Sequence, residues 1–333
     1  MFQSTMNVEI HFAPLQGYTD AVYRKTFCSM FNDVDYYYSP YISVENSGKL
    51  LGNDDIAEFE EHTIIQILPG NLGELKMLVS EVNRLGYTRL NINMGCPYPM
   101  VINKGRGAAL MQKPNFVADC INYIHDYTEL KLSLKMRSGL KNPNEIFDLL
   151  RKILLQKVSE IIVHPRLASQ LYKGKADVLI VSKCLTEYPD TKFIYNGDIF
   201  LYNDFIEKGE SLLNLNSFML GRGLLMNPFL AEQIKSGRSE FLPNYTFRLF
   251  KFMTRLVDEI ILDSKDAGHA LNRCKNQLGY LLIGFPEFKK LKKKIIKEKS
   301  VDGLKLLLNN VQHEPEFSSN DAFHNNLSSH IAP

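Results

Sequence analysis

The 333-residue chain contains no tryptophan, no C-x-x-C pair among its five cysteines, and no apolar run approaching a membrane span. The cysteines, Cys28, Cys96, Cys120, Cys184 and Cys274, are odd in number and far apart. That spacing argues against a disulfide framework, a zinc ribbon or an iron–sulfur cluster, so no metal is expected. The opening segment MFQSTMNVEIHF lacks the basic-then-apolar pattern of a secretory signal, and the expectation is a soluble, cytoplasmic monomer with no membrane partner. No G-x-G-x-x-G follows the first strand-like run, where APLQGYTD stands instead, which counts against a dinucleotide-binding open sheet. What is present is an ordinary globular composition, 45% hydrophobic and 23% charged. It supports a sizeable core and excludes wholesale disorder.

An excess of either charge is also missing, with 39 Lys plus Arg against 37 Asp plus Glu. This balance is a sum of unlike parts. Residues 1–235 carry 24 basic and 26 acidic side chains, a net of −2; residues 236–311 carry 15 and 8, a net of +7; the remainder carries three acids and no Lys or Arg. The +7 segment holds seven lysines between Lys289 and Lys299, the pattern of a surface that binds a polyanion through its phosphates.

Short β-branched or aromatic runs recur through the first 225 residues: VEIHFAP, VDYYYSP, TIIQILPG, RLNINMGCP, KLSLKMR, EIIVHPR, KFIYNGDI and SFMLGRG. Marked at Ala13, Pro40, Gln66, Asn93, Lys135, His164, Asn196 and Leu220, they are spaced by 27, 26, 27, 42, 29, 32 and 24 residues. Eight buried strands alternating with amphipathic helices predict an α/β chain with a (β/α)8 TIM barrel. From Phe241 the pattern turns wholly helical, which predicts a small C-terminal all-helical domain. The expected division is a barrel over 1–238, a helical domain over 239–311 and a disordered tail over 312–333.

Active sites of such barrels lie at the C-terminal ends of the strands. Polar residues at or near those ends include Gln66, Asn93, Lys135, Arg137, His164, Arg166, Asn196, Asp198 and Arg222. Polar side chains in apolar strands need a ligand or a partner, and a set spread over several strands points to a shared ligand. NGD at 196–198 and GRG at 221–223 end the last two strands, where barrels commonly bind phosphate. Alternation puts Lys135 and Arg137 on one face, suited to offset negative charge on an electron-rich ring. Residues 93–111, NMGCPYPMVINKGRGAALM, set a single thiol, Cys96, in a stiffly turned loop. An ordinary thiol is mostly protonated at neutral pH and can serve as a general acid.

Together, APLQGYTD (13–20), the Gln66 strand end, the 93–111 loop, KMRSG (135–139), HPRLASQLYKGKAD (164–177), YNGDI (195–199) and MLGRGLLMNPFL (219–230) resemble the tRNA-dihydrouridine synthase family of flavin-dependent barrels. KNQLGYLLIGFPEFKKLKKKI is similar to that family's helical tRNA-binding domain. The resemblance implies FMN in the barrel mouth, NADPH as reductant, and reduction of a uridine C5=C6 bond in the D-loop of tRNA. It implies that Pro14, Leu15, Gln66, Lys135, His164, Asn196, Gly197, Asp198, Gly221 and Arg222 hold the flavin, and that Cys96 donates a proton to C5. Asn93 and Arg166 would position the uracil, and Lys292 and Lys293 would contact tRNA. Two positions depart from the family pattern: Ala168 stands where a second basic residue is common, and Val178 where Trp is common. They bear on which D-loop position is modified. The competing expectations are a flavin barrel acting on a free pyrimidine, of the dihydroorotate or dihydropyrimidine dehydrogenase kind, and a non-catalytic RNA-binding protein. The first leaves the basic helical segment unexplained.

Overall fold

Eight short strands pair in parallel and close on themselves. They are β1 (Glu9–Phe12), β2 (Tyr36–Tyr38), β3 (Thr63–Ile67), β4 (Arg89–Met94), β5 (Lys131–Gly139), β6 (Glu160–Leu167), β7 (Phe193–Tyr195) and β8 (Ser217–Leu220), and β8 returns to pair with β1. The computed structural model describes residues 7–311 apart from 57, 59, 155–157 and 214; the tail read as disordered lies outside the described residues. All eight strand-like runs are strands in the order read from the sequence, and the barrel is the (β/α)8 type.

The one long spacing, 42 residues between Asn93 and Lys135, has a structural cause. Between β4 and β5 the chain builds the short helix Pro99–Ile102 and the 3-10 turn Gly107–Gln112 before the crossover helix Pro114–Tyr127. The β2–β3 connection instead makes a two-residue antiparallel ribbon, Ser43–Val44 with Leu50–Leu51.

Alternation along the strands sorts the side chains. On β4, Arg89, Asn91 and Asn93 share one face, while Leu90, Ile92 and Met94 share the other. The inward faces stack in layers. Ala13, just past β1, forms an apolar plug with Tyr38, Ile64, Ile162, Ile194 and Met219 of five other strands. At the N-terminal ends lies a layer of charge: Glu160 receives Arg89 at 3.0 Å and Lys192 at 2.8 Å, and Lys192 also reaches Glu9 at 2.8 Å. At the opposite ends lie Gln66, Asn93 and Lys135.

Packing divides the chain into two units. One comprises the chain up to Thr19, Val34–Ile199 and Asp204–Gly221, and so holds every barrel strand. The other comprises Asp20–Asp33, Phe200–Asn203 and the chain from Arg222 onward. Within the second unit, helix Ala21–Cys28 is capped by the Asp20 side chain, which accepts from the Tyr23 amide at 2.9 Å. Its Tyr23 and Phe27 rings meet Phe252 edge-on at 5.9 Å. Phe252 belongs to helix Tyr245–Asp263, whose apolar face of Leu249, Phe252, Met253, Leu256 and Ile260 recurs at helical spacing and is buried. Each such side chain contributes about 1.5–3 kcal/mol by leaving water. Helices Ala267–Leu281, Lys289–Lys297 and Val301–Val311 complete the unit, and these are the helical segments the sequence pattern predicts. Among the described residues, no helix is long and apolar enough to cross a membrane.

Candidate active site at the C-terminal ends of the strands

Parallel register brings the polar residues of β3, β4 and β5 side by side. Asn93 pairs with Lys135 across β4 and β5, and Gln66 lies opposite Asn91 across β3 and β4. Their amides form a chain: Gln66 Nε2 donates to Asn91 Oδ1 at 2.7 Å, Asn91 Nδ2 to Ser133 Oγ at 2.9 Å, and Asn93 Nδ2 to Gln66 Oε1 at 2.8 Å. Part of the polar set is therefore satisfied from within, and a ligand is not required to explain its burial. Asn91 and Ser133 were not singled out by the sequence. Their positions two residues behind Asn93 and Lys135 were the available signal.

Asn93 does a second job. Its Oδ1 accepts the amides of Gly95 at 3.0 Å and Cys96 at 2.9 Å, which starts the cysteine loop in a fixed direction. The loop then folds back, and Ala108 N–H donates to the Cys96 carbonyl at 3.0 Å. Gly107 makes this return possible. Its φ is +59°, and a Cβ there would sit 2.8 Å from the Cys96 carbonyl oxygen. The neighbouring Arg106, buried, donates to Glu74 Oε1 at 2.7 Å and to the Val44 carbonyl at 2.9 Å, tying the loop to the rest of the barrel unit. Arg106 lies inside the 93–111 loop, and its role as a clamp is visible only from these contacts.

Cys96 is thus held at the barrel mouth, 8% exposed. Burial pushes its thiol above the ordinary value, against the opposing pull of the Tyr98 amide, the Tyr41 hydroxyl, Arg137 and Lys135. The sulfur keeps its proton at neutral pH. Burial also leaves the other cysteines of the barrel, Cys120 and Cys184, with thiols pushed up to about 12, as expected of inert core residues.

Lys135 and Arg137 share a face of β5 as the alternation predicts, but they are differently employed. Arg137 Nε donates to the Gly95 carbonyl at 2.9 Å, and Nη1 to the carbonyls of Leu167 at 2.9 Å and Leu171 at 2.8 Å. It joins the cysteine loop to the loop after β6. Lys135 makes no ion pair among the described residues, and burial with Arg137 nearby lowers its ammonium to about 7. A half-buried cation without a carboxylate is suited to an anionic or electron-rich ligand.

On β6, Arg166 lies 3% exposed and grips both oxygens of Asp198, at 2.8 and 2.7 Å. It also donates to the Gly174 carbonyl at 2.6 Å and, through Nη1, to His164 Nε2 at 3.1 Å. That last bond needs a lone pair on Nε2, so His164 carries its proton on Nδ1. Asp198 in turn accepts the Ala176 amide at 2.8 Å and has a φ of +45°. Gly197 is closed in, since a Cβ there would lie 2.8 Å from Ala176 Cβ. Asn196 Nδ2 donates to the Met219 carbonyl at 2.8 Å, linking the ends of β7 and β8.

Pro14 and Leu15 follow β1 in a turn closed by Leu15 N–H donating to Thr19 Oγ1 at 2.8 Å. Gly221 follows β8. Pro14, Leu15, Gln66, Asn93, Cys96, Lys135, His164, Arg166, Asn196, Gly197, Asp198 and Gly221 therefore all lie at the same end of the barrel, where β-strand carboxyl ends gather. Arg222 begins the second unit, its guanidinium 5.0 Å over the Phe200 ring. Lys292 and Lys293 also belong to the second unit, on helix Lys289–Lys297, which buries Leu291 and Ile295 and exposes Lys289, Lys290, Lys293, Lys294 and Lys297. Lys292 is half-buried, and that burial lowers its ammonium. No cluster of metal-ligating side chains occurs among the described residues.

Residues 11–315 match the family model described as dihydrouridine synthase. The chain is 26% identical over 315 residues to a probable tRNA-dihydrouridine synthase 2 of Bacillus subtilis, covering 91% of this chain and 93% of that protein. It is 24% identical over 254 residues to a tRNA-dihydrouridine(16) synthase of Neisseria meningitidis, covering 75% and 76%. A rice protein named tRNA-dihydrouridine(47) synthase [NAD(P)(+)]-like is 30% identical over 151 residues, covering 45% of this chain but only 22% of that longer protein.

Proposed function

This chain belongs to the dihydrouridine synthase family, and on that premise we propose that it reduces the C5=C6 bond of uridine in tRNA, using FMN recharged by NADPH. The observation that carries the reading is a buried thiol, Cys96, held at the barrel mouth on the strand end next to Lys135, which makes no ion pair among the described residues.

The residues present fit a flavin. Lys135 offers an uncommitted positive charge, and the tight packing at Gly197 leaves backbone rather than side chain at the end of β7. Gln66, Lys135 and His164 would meet the ring system, with Pro14 and Leu15 against it. Asn196, Gly197, Asp198 and Gly221 would serve its phosphate end, with Asp198 acting through its grip on Arg166. When bound, the flavin supplies a hydride to C6 of the uracil.

The remaining work falls to the chain's own groups. Cys96 Sγ gives its proton to C5, quenching the enolate-like charge that builds as C6 is reduced. Asn93 orients that sulfur by holding the amides of Gly95 and Cys96. Arg166, fixed by Asp198 and bonded to His164, would stand at the uracil's edge. A uridine stacked in tRNA must swing out to reach a barrel mouth, so affinity has to come from contacts elsewhere. The lysines around Lys292 and Lys293 supply a phosphate-binding surface for that purpose.

Cys96→Ala tests the reading. The purified variant should stay yellow with bound flavin and be reduced by NADPH, while dihydrouridine formation in tRNA falls by about 100-fold or more. Full uridine reduction by the variant would overturn the assignment.

A further inference from the structure

A second acidic hydrogen lies beside the thiol. The ring of Tyr41, from the segment that leaves β2, packs onto the small apolar cluster of Leu68, Cys96 and Val101. Its hydroxyl lies near enough to the Cys96 side chain to draw that thiol down and to be pushed up by it in turn. The segment carrying it is fixed to β3: Ile42 N–H donates to the Gln66 carbonyl at 2.9 Å, and Leu68 N–H to the Ile42 carbonyl at 2.9 Å. A phenol on a rigid element, set against the sulfur, is placed to act whenever the sulfur's charge changes.

The groups that face this sulfur are few. Tyr41 comes from the segment after β2, the Tyr98 amide from the cysteine loop itself, and Lys135 and Arg137 from β5. Arg137 is committed to three backbone carbonyls, and Lys135 acts on the thiol through charge rather than a hydrogen bond. Tyr41, packed against the cluster that holds Cys96, is therefore the side chain placed to donate to the sulfur. We propose that Tyr41 is a positioning residue for proton donation, turning its O–H onto the sulfur as Cys96 loses its proton. The S–H bond breaks with its pair left on sulfur. The C5–H bond forms from the pair displaced out of C5=C6 when hydride adds at C6. The thiolate recovers a proton from water after the product leaves, and Tyr41 keeps its own.

This inference rests on Cys96 acting as the acid in the reaction proposed above. A donor to the thiolate makes a buried thiol a stronger acid, which offsets what burial costs it. Burial and the neighbouring sulfur push the phenol up to about 12, so it remains a donor throughout the working range.

The experiment is Tyr41→Phe in the full chain with bound flavin, which keeps the ring and removes the hydroxyl. Two quantities are read: the single-turnover rate of uridine reduction by prereduced enzyme, and the pH dependence of Cys96 alkylation by iodoacetamide, followed at that residue by mass spectrometry. The expected result is a roughly tenfold slower turnover. The alkylation midpoint should move up by about one pH unit, because the thiolate has lost its donor. An unmoved midpoint would overturn the inference even if turnover slowed, since that pattern is packing damage. If Cys96→Ala were fully active, the reading of Cys96 would fail instead, and the alkylation midpoint would still report whether Tyr41 holds the sulfur.

Discussion

Lys135 shows how one desolvated amine couples ligand binding to stability. Its folded-state value is about 7 against an ordinary 10.5, so between those pH values the unfolded chain holds a proton that the folded chain lacks. The folded state gains stability as pH rises through that window and carries the full penalty of a buried charge below it. Lys135→Met should therefore raise the melting temperature of flavin-free protein at pH 6 by about 2–4 °C, with the gain fading toward pH 10. The same variant should bind flavin poorly. Thermal scans at pH 6, 8 and 9.5 check the first expectation and flavin titration the second; a gain that did not fade with pH would show that desolvation of this amine is not the cause. Arg137 and Arg166 look much like Lys135 in sequence, yet both are largely consumed by protein acceptors. Residue type named three cations, and only contacts divided them into one without an ion pair among the described residues and two held by protein acceptors.

Elements are joined here by charge at one end and by loops at the other. Below the apolar plug, Glu9 of β1, Glu160 of β6, Arg89 of β4 and Lys192 before β7 make a partly buried ionic layer, with His11 Nε2 2.7 Å from Glu9 Oε1. Hydrogen bonds from His11 and Lys192 hold the Glu9 carboxyl down to about 2. A depressed carboxyl contributes stability that is complete above its unfolded value near 4.5 and lost as pH falls through about 2. Glu9→Gln should thus destabilise the barrel by roughly 1–3 kcal/mol at pH 7, and the difference from the parent should shrink steadily below pH 4.5. Urea midpoints across that range decide it, and a difference constant with pH would assign the effect to packing instead. Nothing in the linear pattern pointed to this layer, because its members lie at the starts of strands 1, 4 and 6 and just before strand 7, and meet only when the barrel closes.

At the scale of the whole molecule, near-neutral net charge is the sum of a mildly acidic barrel segment and a basic helical one. Lys293 and Lys294 are exposed on helix Lys289–Lys297, while Leu291 and Ile295 anchor its other side, so reversing these two charges should spare the fold. Lys293→Glu with Lys294→Glu should weaken tRNA binding about tenfold or more at low salt and lower the slope of log affinity against log salt by about 2. NADPH oxidation in the absence of tRNA should be unaffected. Filter-binding titrations at several salt concentrations test this, and an unchanged slope would move the phosphate contacts off this helix. The packing also assigns Asp20–Asp33, from the first helical connection, to the unit that contains this helix, where Tyr23 and Phe27 meet Phe252.

By itself the sequence determined the eight-strand period, the helical C-terminal segment, the basic surface and the isolated thiol, because these depend on residue spacing and composition alone. Hydrophobic alternation is a local property, and so it survives in one dimension. The tertiary structure decided which polar groups are free. Gln66, Asn91, Asn93 and Ser133 satisfy one another only because parallel register sets their strands side by side, and Arg137 becomes a clamp only because two loops arrive within reach of its guanidinium. Tyr41 was invisible beforehand for the same reason: it lies 55 residues from Cys96, and the two pack together only after the barrel has closed.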